Sequence, residues 1–387
     1  MPLKTHIKNL IAQTGPISMS EFMRIALADA QHGYYKTREP FGTKGDFITA
    51  PEISQMFGEL IGIWCADIWQ KMGSPNIEIV EIGPGRGTLM ADLLRGTRKI
   101  QGFHDNIAIS MVETSKRLQE IQREKLVNLH PRIKWFEDIA TVPDKPLIIV
   151  TNELFDALPI NQYVMQNGKW HEKMLGLDGS GELAFMLRPV SLSLEGEGGF
   201  IQFLLQKLVR NPGEGGIYLN KEAPPHPNPL PQGEGTTPHI EICPEAIIIM
   251  EEISKRIKQH GGAALIIDYG YTKPEYNNTI SAITSHKHHD MLENIGNADI
   301  SAHVDFALLA KVAINKGMKI FGATGQGDFL RNLGIDFRAI QLTKNATEKQ
   351  KQDIETAKTR LTGNGEAQMG ELFKVLAVTN GVVPEGF

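Results

Sequence analysis

In the stretch "IEIVEIGPGRGTLMADLL" an apolar run ends in Glu81-Ile82-Gly83-Pro84-Gly85-Arg86-Gly87 and gives way to a helix-like segment. Glycines at alternate positions leave no β-carbons in the way, so backbone amides can approach a ligand closely, and Pro84 stiffens the turn. A dinucleotide site would read G-x-G-x-x-G, but Thr88 stands where the third glycine is needed. Glu81 decides the chemistry further. A carboxylate beside the ligand repels a pyrophosphate but pairs with an amino or sulfonium group, and S-adenosylmethionine carries both.

Two further acids follow in order. Glu113 closes the next apolar run, "IAISMVE", and could accept both hydroxyls of a ribose. Asp138, in "IKWFEDIA", could read the amino group of an adenine. Each could equally cap the helix that comes after it. The ordered set of glycine turn, acid and acid points to S-adenosyl-L-methionine. "TNELFDALP" then offers Asn152, Glu153 and Asp156 just past a fourth apolar run, with a turn closed by Pro159 as the competing reading.

The elements that must carry these residues alternate between strand and helix. Strand-like runs cover Ile77–Ile82, Ile107–Glu113, Ile133–Phe136, Leu147–Thr151 and Ala263–Asp268, with helical segments around Leu89–Leu94 and Ser115–Val127. Continuous Ile/Val runs with crossover helices indicate an α/β fold whose parallel sheet is buried on both faces, doubly wound, with ligands at the carboxyl ends of its strands. Residues 1–75 read as a helical N-terminal region. Within it "SMSEFMRIALAD" has a helical spacing that Ser18 or Ser20 could cap. Residues 76–387 form the main domain, interrupted at 160–240 by an insertion. Asn167-Gly168 and Asp178-Gly179 mark antiparallel hairpins in that insertion, and the Gly/Pro-rich stretch 190–238 reads as a surface excursion.

Composition narrows the function classes. The 387 residues are 41% hydrophobic, enough for a large core, and the net charge of -5 argues against a nucleic-acid partner. No apolar run is long enough to insert into a bilayer. Cys65 and Cys243, the two cysteines, stand far apart without a CxxC partner, which fits a reducing compartment and no cysteine zinc cluster. His286, His288 and His289 in "SHKHHD" lack ligand spacing, so no metal is expected. The N-terminus shows neither a signal peptide nor an arginine-rich presequence, and a bacterial cytoplasmic location follows as the expectation. The helix bearing Trp64 and Trp69 reads as core, with a homodimer contact as the alternative.

Seven blocks in order, "GYYKTREPFGTKGDFITAPEISQMFGELIG", "VEIGPGRGTL", "NELFDALPINQY", "IDYG", "ADISAHVDF", "GQGDFLRNLGI" and "MGELFKVL", resemble the MidA family. This family holds the mitochondrial complex I assembly-factor methyltransferase and its bacterial relatives. The resemblance spans nearly the whole chain apart from the Gly/Pro-rich excursion, with small departures at Leu154 and Ser301. It implies a class I methyltransferase (Rossmann-like) seven-stranded sheet, S-adenosyl-L-methionine as methyl donor, and a protein arginine as acceptor, on a client such as a respiratory complex I subunit. On that reading Glu81, Gly83, Pro84, Gly85, Gly87, Glu113 and Asp138 hold the cofactor, and Asp46 closes over it. Glu153, then Asp156, contact the guanidinium, while Asn152 orients the nucleophile or the methionine moiety. Asp268, Tyr269, His303 and Asp305 could complete the acceptor pocket. Methylation of another side chain or a small molecule, and a non-catalytic assembly chaperone, stay open as alternatives.

Overall fold

A computed structural model describes residues 3–29, 31–34, 49–167, 169–190, 239–273, 277–284, 287–365 and 367–387. Its central feature is a sheet built from β2 (Ile77–Ile82), β3 (Ile107–Val112), β4 (Ile133–Phe136), β5 (Leu147–Asn152), β10 (Gly262–Tyr271), β15 (Lys319–Gly325) and β16 (Phe373–Thr379). The spatial order is β15-β16-β10-β5-β2-β3-β4, and a short β14 (Val304–Asp305) pairs alongside β10. Strands β4, β3, β2, β5 and β10 run parallel, whereas β16 lies antiparallel between β10 and β15. Five of these strands were legible as apolar runs; β15 and β16 were not singled out.

The apolar runs are continuous because both faces are covered. On one face Ile79, Ile109, Ile148, Val150, Leu265 and Ile267 pack with Leu60, Trp64 and Leu93, from the helices Gln55–Lys71 and Thr88–Thr97. On the other face Val80, Val112, Ile149, Ala264 and Ile266 meet Met250 and Ile253 of Pro244–His260 and Leu309 of Phe306–Asn315. Successive strand residues alternate between the two cores. Trp64 and Trp69 both belong to the first core, Trp69 edge-on to Phe103 at 5.3 Å, so neither ring is available to a second copy.

Register positions the site. Phe136 pairs with Val112, Val112 with Ile82, Ile82 with Thr151 and Thr151 with Ile266, a single row across five parallel strands. One or two residues past that row come Asp138, Glu113, Gly83, Glu153 and Asp268. Residues separated by up to about 190 positions in the chain are thus gathered at one sheet edge by strand pairing alone.

A second, antiparallel sheet draws on residues 161–242 and on one short strand near the N-terminus. Its strands are β1 (Ile17–Ser18), β6 (Asn161–Gln166), β7 (Lys169–Leu177), β8 (Leu183–Pro189) and β9 (His239–Ile242), in the order β1-β7-β6-β9 with β8 against β7. The expected hairpins are present, with Asn167 left-handed at φ 52 and Asp178 Oδ1 accepting from Ser180 and Glu182 N–H. Ser18 caps the helix Met19–Ala28 through Glu21 N–H, as its position suggested. The N-terminal segment does not stand apart: Ile17 pairs with Leu175, and Leu3, Ile7, Phe22 and Met23 share a core with Ile160, Leu175 and Ile300. A third sheet joins β11 (Ser281–Thr284), β12 (Lys287–His289) and β13 (Asp299–Ser301). His288 and His289 pair with Ile283 and Ala282 there. His286 and most of the Gly/Pro-rich excursion, residues 191–238, lie outside the described residues.

Candidate active site

The glycine turn adopts the conformation its sequence demands. Gly83, Gly85 and Gly87 have φ of +69°, +52° and +72°, a region that residues with a β-carbon avoid. Gly87 N–H closes the turn on the Pro84 carbonyl at 2.8 Å. A β-carbon at Gly83 would stand 2.8 Å from Leu154 Cδ1, so the close approach here is to the "NELFD" loop. Gly87 begins the helix Thr88–Thr97, and a β-carbon on it would meet Gln122 at 3.3 Å. Among the three glycines it is the one placed outside the lining of the two hollows described below, where it serves the turn and the packing of the helix.

A cavity of about 490 Å³ opens at the carboxyl edge of the sheet and brings together Gly83, Gly85, Glu113, Asp138, Glu153 and Asp156. Glu113 is buried, and its Oε1 accepts from Ser115 N–H at 2.7 Å. Asp138 is exposed and caps a short 3-10 turn, its Oδ1 accepting from Ala140 N–H at 2.9 Å. The capping role weighed for Asp138 is therefore real, and it coexists with a place on the cavity wall. Sequence reasoning missed Gln122, which is fully buried. Its amide donates to the Gly85 carbonyl at 2.7 Å, and its Oε1 accepts from Trp135 Nε1 at 2.8 Å. A glutamine on an amphipathic helix carries no local signal of such a role.

Beside the cavity a small crevice of about 50 Å³ is bordered by Glu81, Pro84, Gly85, Asn152 and Glu153. Glu81 is 3% exposed, and burial pushes its carboxyl up to about 8 against the opposing pull of Lys125. Among the described residues, Glu81 Oε2 and Asn152 Oδ1 are both buried acceptors without a hydrogen-bond partner. Unsatisfied buried oxygens cost on the order of 1–3 kcal/mol each unless a donor arrives. An ammonium group with three N–H donors supplies what both lack. S-adenosyl-L-methionine, whose amino group carries such donors, fits this arrangement by its chemistry.

The far wall of the cavity is acidic. Glu153 follows β5 with φ 52°, a left-handed conformation for a residue that bears a β-carbon. Holding it there costs of order 1–3 kcal/mol, and such strain gathers at functional sites. Its N–H bonds the Ile267 carbonyl at 3.0 Å, and its Oε1 accepts from Ala50 N–H at 3.1 Å and Asn152 Nδ2 at 3.0 Å. Burial raises its carboxyl above the usual range. Asp156 is raised well above it, by burial first and then by the charges of Asp268, Glu153 and Asp299. Asp299, in β13, also lines the cavity and was not anticipated, because a separate sheet delivers it.

Four other candidates take different roles. Asp268 is fully buried and pushed up to about 7 by burial. Its Oδ2 accepts from Leu154 and Phe155 N–H at 3.0 and 2.8 Å, and its Oδ1 from Tyr269 N–H at 2.8 Å. These bonds tie it to the Glu153 loop. Tyr269 and His303 stack edge-on at 4.1 Å beside a different hollow, and Asp305 caps the helix Phe306–Asn315 through Leu308 N–H. Ser301, at the end of β13, lines the cavity of Glu153 and Asp156. Asp46 lies outside the described residues.

The Asp268→Asn variant should lose one of the two acceptor oxygens and set an NH₂ group against backbone donors. We expect a destabilisation of about 2–4 kcal/mol, read as a melting temperature lower by roughly 5 °C. An unchanged melting temperature would remove Asp268 as the organiser of this loop.

Comparison with known proteins agrees with the geometry. Residues 60–324 match the model of a family described as S-adenosyl-L-methionine-dependent methyltransferases. The chain is 32% identical over 403 residues to the mitochondrial protein arginine methyltransferase NDUFAF7 of Xenopus tropicalis, covering 97% of this chain and 85% of the relative. The Homo sapiens protein of the same name is 35% identical over 374 residues, covering 90% and 76%. A solved structure of a likely methyl transferase from Burkholderia thailandensis, bound to S-adenosyl-homocysteine, superposes with a TM-score of 0.77 at 26% identity. The match covers 98% of this chain and 92% of that one. The order of the sheet and the antiparallel place of β16 are those of the class I methyltransferase fold that the sequence blocks implied. One expectation is overturned: the curated relatives are named as mitochondrial proteins, so a bacterial cytoplasmic location does not follow from this sequence.

Proposed function

Because the chain belongs to the MidA-like family of S-adenosyl-L-methionine-dependent methyltransferases, we propose that its acceptor is an arginine side chain of a protein client, a respiratory complex I subunit being the first candidate. The observation that carries this reading is the acidic wall of Glu153, Asp156 and Asp299 in the same cavity as Gly83, Gly85 and Glu113. Clustered carboxylates, with Glu153 and Asp156 raised by burial and by their neighbours' charge, call for a cation, and a planar guanidinium with five donors suits them.

S-adenosyl-L-methionine supplies an electrophilic methyl group on a sulfonium. Glu81 and Asn152 would hold its amino group, Glu113 its ribose and Asp138 its adenine, while Gly83, Pro84 and Gly85 form the floor. Guanidinium is a poor nucleophile because it stays protonated. Glu153, with Asp156 beside it, orients the group, draws its charge away from the attacking nitrogen and accepts the proton that nitrogen loses. Both carboxylates must be ionised for this, and an entering guanidinium lowers their raised values by pairing with them.

The test supplies methyl-labelled S-adenosyl-L-methionine to the purified protein with a mitochondrial or bacterial membrane extract, followed by hydrolysis and amino-acid analysis. Label in methylarginine supports the assignment. Label in lysine or in small molecules replaces the acceptor class, and no transfer at all leaves the assembly chaperone.

Glu81 provides a separate check on the cofactor half. Its folded-state carboxyl sits near 8, so at pH 7 it is mostly protonated. Pairing with an ammonium favours the ionised form, and S-adenosyl-L-methionine binding at pH 7 should release most of one proton. Calorimetry in two buffers of different ionisation enthalpy reads this directly. The release should fade above about pH 9, where the carboxyl is already ionised. Binding without proton release would place the amino group elsewhere.

A further inference from the structure

The short helix Ala50–Ile53 stands between the two halves of the site and bonds to both. On one side Glu52 Oε1 accepts from Thr88 Oγ1 at 2.5 Å, and Thr88 is the first residue of the helix that leaves the glycine turn. The same hydroxyl accepts from Lys125 Nζ at 2.5 Å, so the contact is a chain of three side chains rather than an isolated pair. On the other side Ala50 N–H donates to Glu153 Oε1 at 3.1 Å. Thr49, Pro51 and Glu52 also border the crevice that holds the orphaned oxygens of Glu81 and Asn152.

We infer that Glu52 is a positioning residue for methyl transfer: by fastening the segment 49–53 to the glycine-turn helix, it holds the Ala50 N–H against the Glu153 carboxylate. This rests on the reading of Glu153 as the group that meets the acceptor. The arrangement has one consequence for chemistry. A backbone N–H donating to a carboxylate stabilises its charged form, so the segment keeps Glu153 ionisable inside an acidic cavity. Among the described residues, the other groups facing Glu153 are the Asn152 amide, the Arg360 guanidinium, and the carboxylates of Asp156, Asp268 and Asp299, of which the last three oppose ionisation.

The test needs no client. Protein labelled with 13C at glutamate Cδ is titrated by NMR with S-adenosyl-homocysteine bound, and the Glu153 resonance is assigned by its loss in Glu153→Gln. Glu52→Ala should raise the Glu153 midpoint by about one to two pH units, the worth of a charge-assisted hydrogen bond. Glu52→Gln keeps an acceptor oxygen for Thr88 and should restore the midpoint. Ala50→Pro removes the donor itself. Proline suits the first position of a helix, and Thr49 already has the extended backbone that a following proline requires, at φ -73° and ψ 158°. It should reproduce the rise. If Glu52→Ala loses its fold, Thr88→Val cuts the same bond from the other side and carries the same expectation. A midpoint unmoved in Glu52→Ala or Thr88→Val overturns the inference, whether or not Ala50→Pro moves it. The role of Glu153 in transfer is tested separately by the activity of Glu153→Gln, so the two ideas fail independently.

Discussion

Gly85→Val should abolish S-adenosyl-L-methionine binding, weakening it by at least about 100-fold, while the protein stays folded. Gly85 sits at φ +52°, where a β-branched residue is strained by roughly 1–2 kcal/mol or more. The added methyl groups stand on a turn that borders both the cavity at the sheet edge and the crevice beside it. The turn cannot swing aside freely, since the Gly85 carbonyl is held by the buried Gln122 amide. Strain of that size is small against the burial of a core this large, so the loss should concentrate in the ligand. Calorimetric titration alongside a thermal melt separates the two. Retained affinity in a folded variant would mean that the cofactor does not approach the turn at this residue.

Glu153→Gln should do the opposite: bind S-adenosyl-L-methionine within about threefold of wild type and lose transfer by about 100- to 1000-fold in kcat. The prediction depends on what the substitution spares. A glutamine carbonyl can accept from Ala50 N–H and Asn152 Nδ2 as the carboxylate does, so the loop and the cofactor crevice keep their shape. Its charge is gone, and with it both the pairing with a guanidinium and the acceptance of a proton. Because Asp156 stands in the same cavity, some residual rate is expected from it, and the double variant with Asp156→Asn should fall further. Full activity in Glu153→Gln would remove the residue from the mechanism and pass its role to Asp156 or Asp299.

Both experiments probe residues that could be picked out of the sequence, and the reason is local. A turn that must hold three left-handed residues leaves glycine at alternate positions, and a strand buried on both faces leaves an unbroken apolar run before it. The acid after each run could be read for the same reason, because a parallel sheet presents the ends of its strands at one edge. The α/β class, the cofactor and the acidic residues Glu81, Glu113, Glu153 and Asp156 therefore followed from short windows of chain.

How each acid is paired was decided elsewhere. Asp268 looked like part of an acceptor pocket, yet three backbone N–H groups, two of them from a loop more than a hundred residues earlier in the chain, claim both its oxygens. Gly87 looked like a third ligand contact, and the buried Gln122 packed beside it shows why a β-carbon is unwelcome there. Asp299 arrives from a separate sheet, Gln122 from a helix face, and Glu52 from the N-terminal segment. None has a neighbour in sequence that reveals its partner. A carboxylate's burial, and the donors and charges around it, depend on contacts between segments far apart in the chain. Sequence determined which groups stand at the edge of the sheet; only the tertiary structure decided which oxygens remain unpaired there, and so where a ligand's donors are needed.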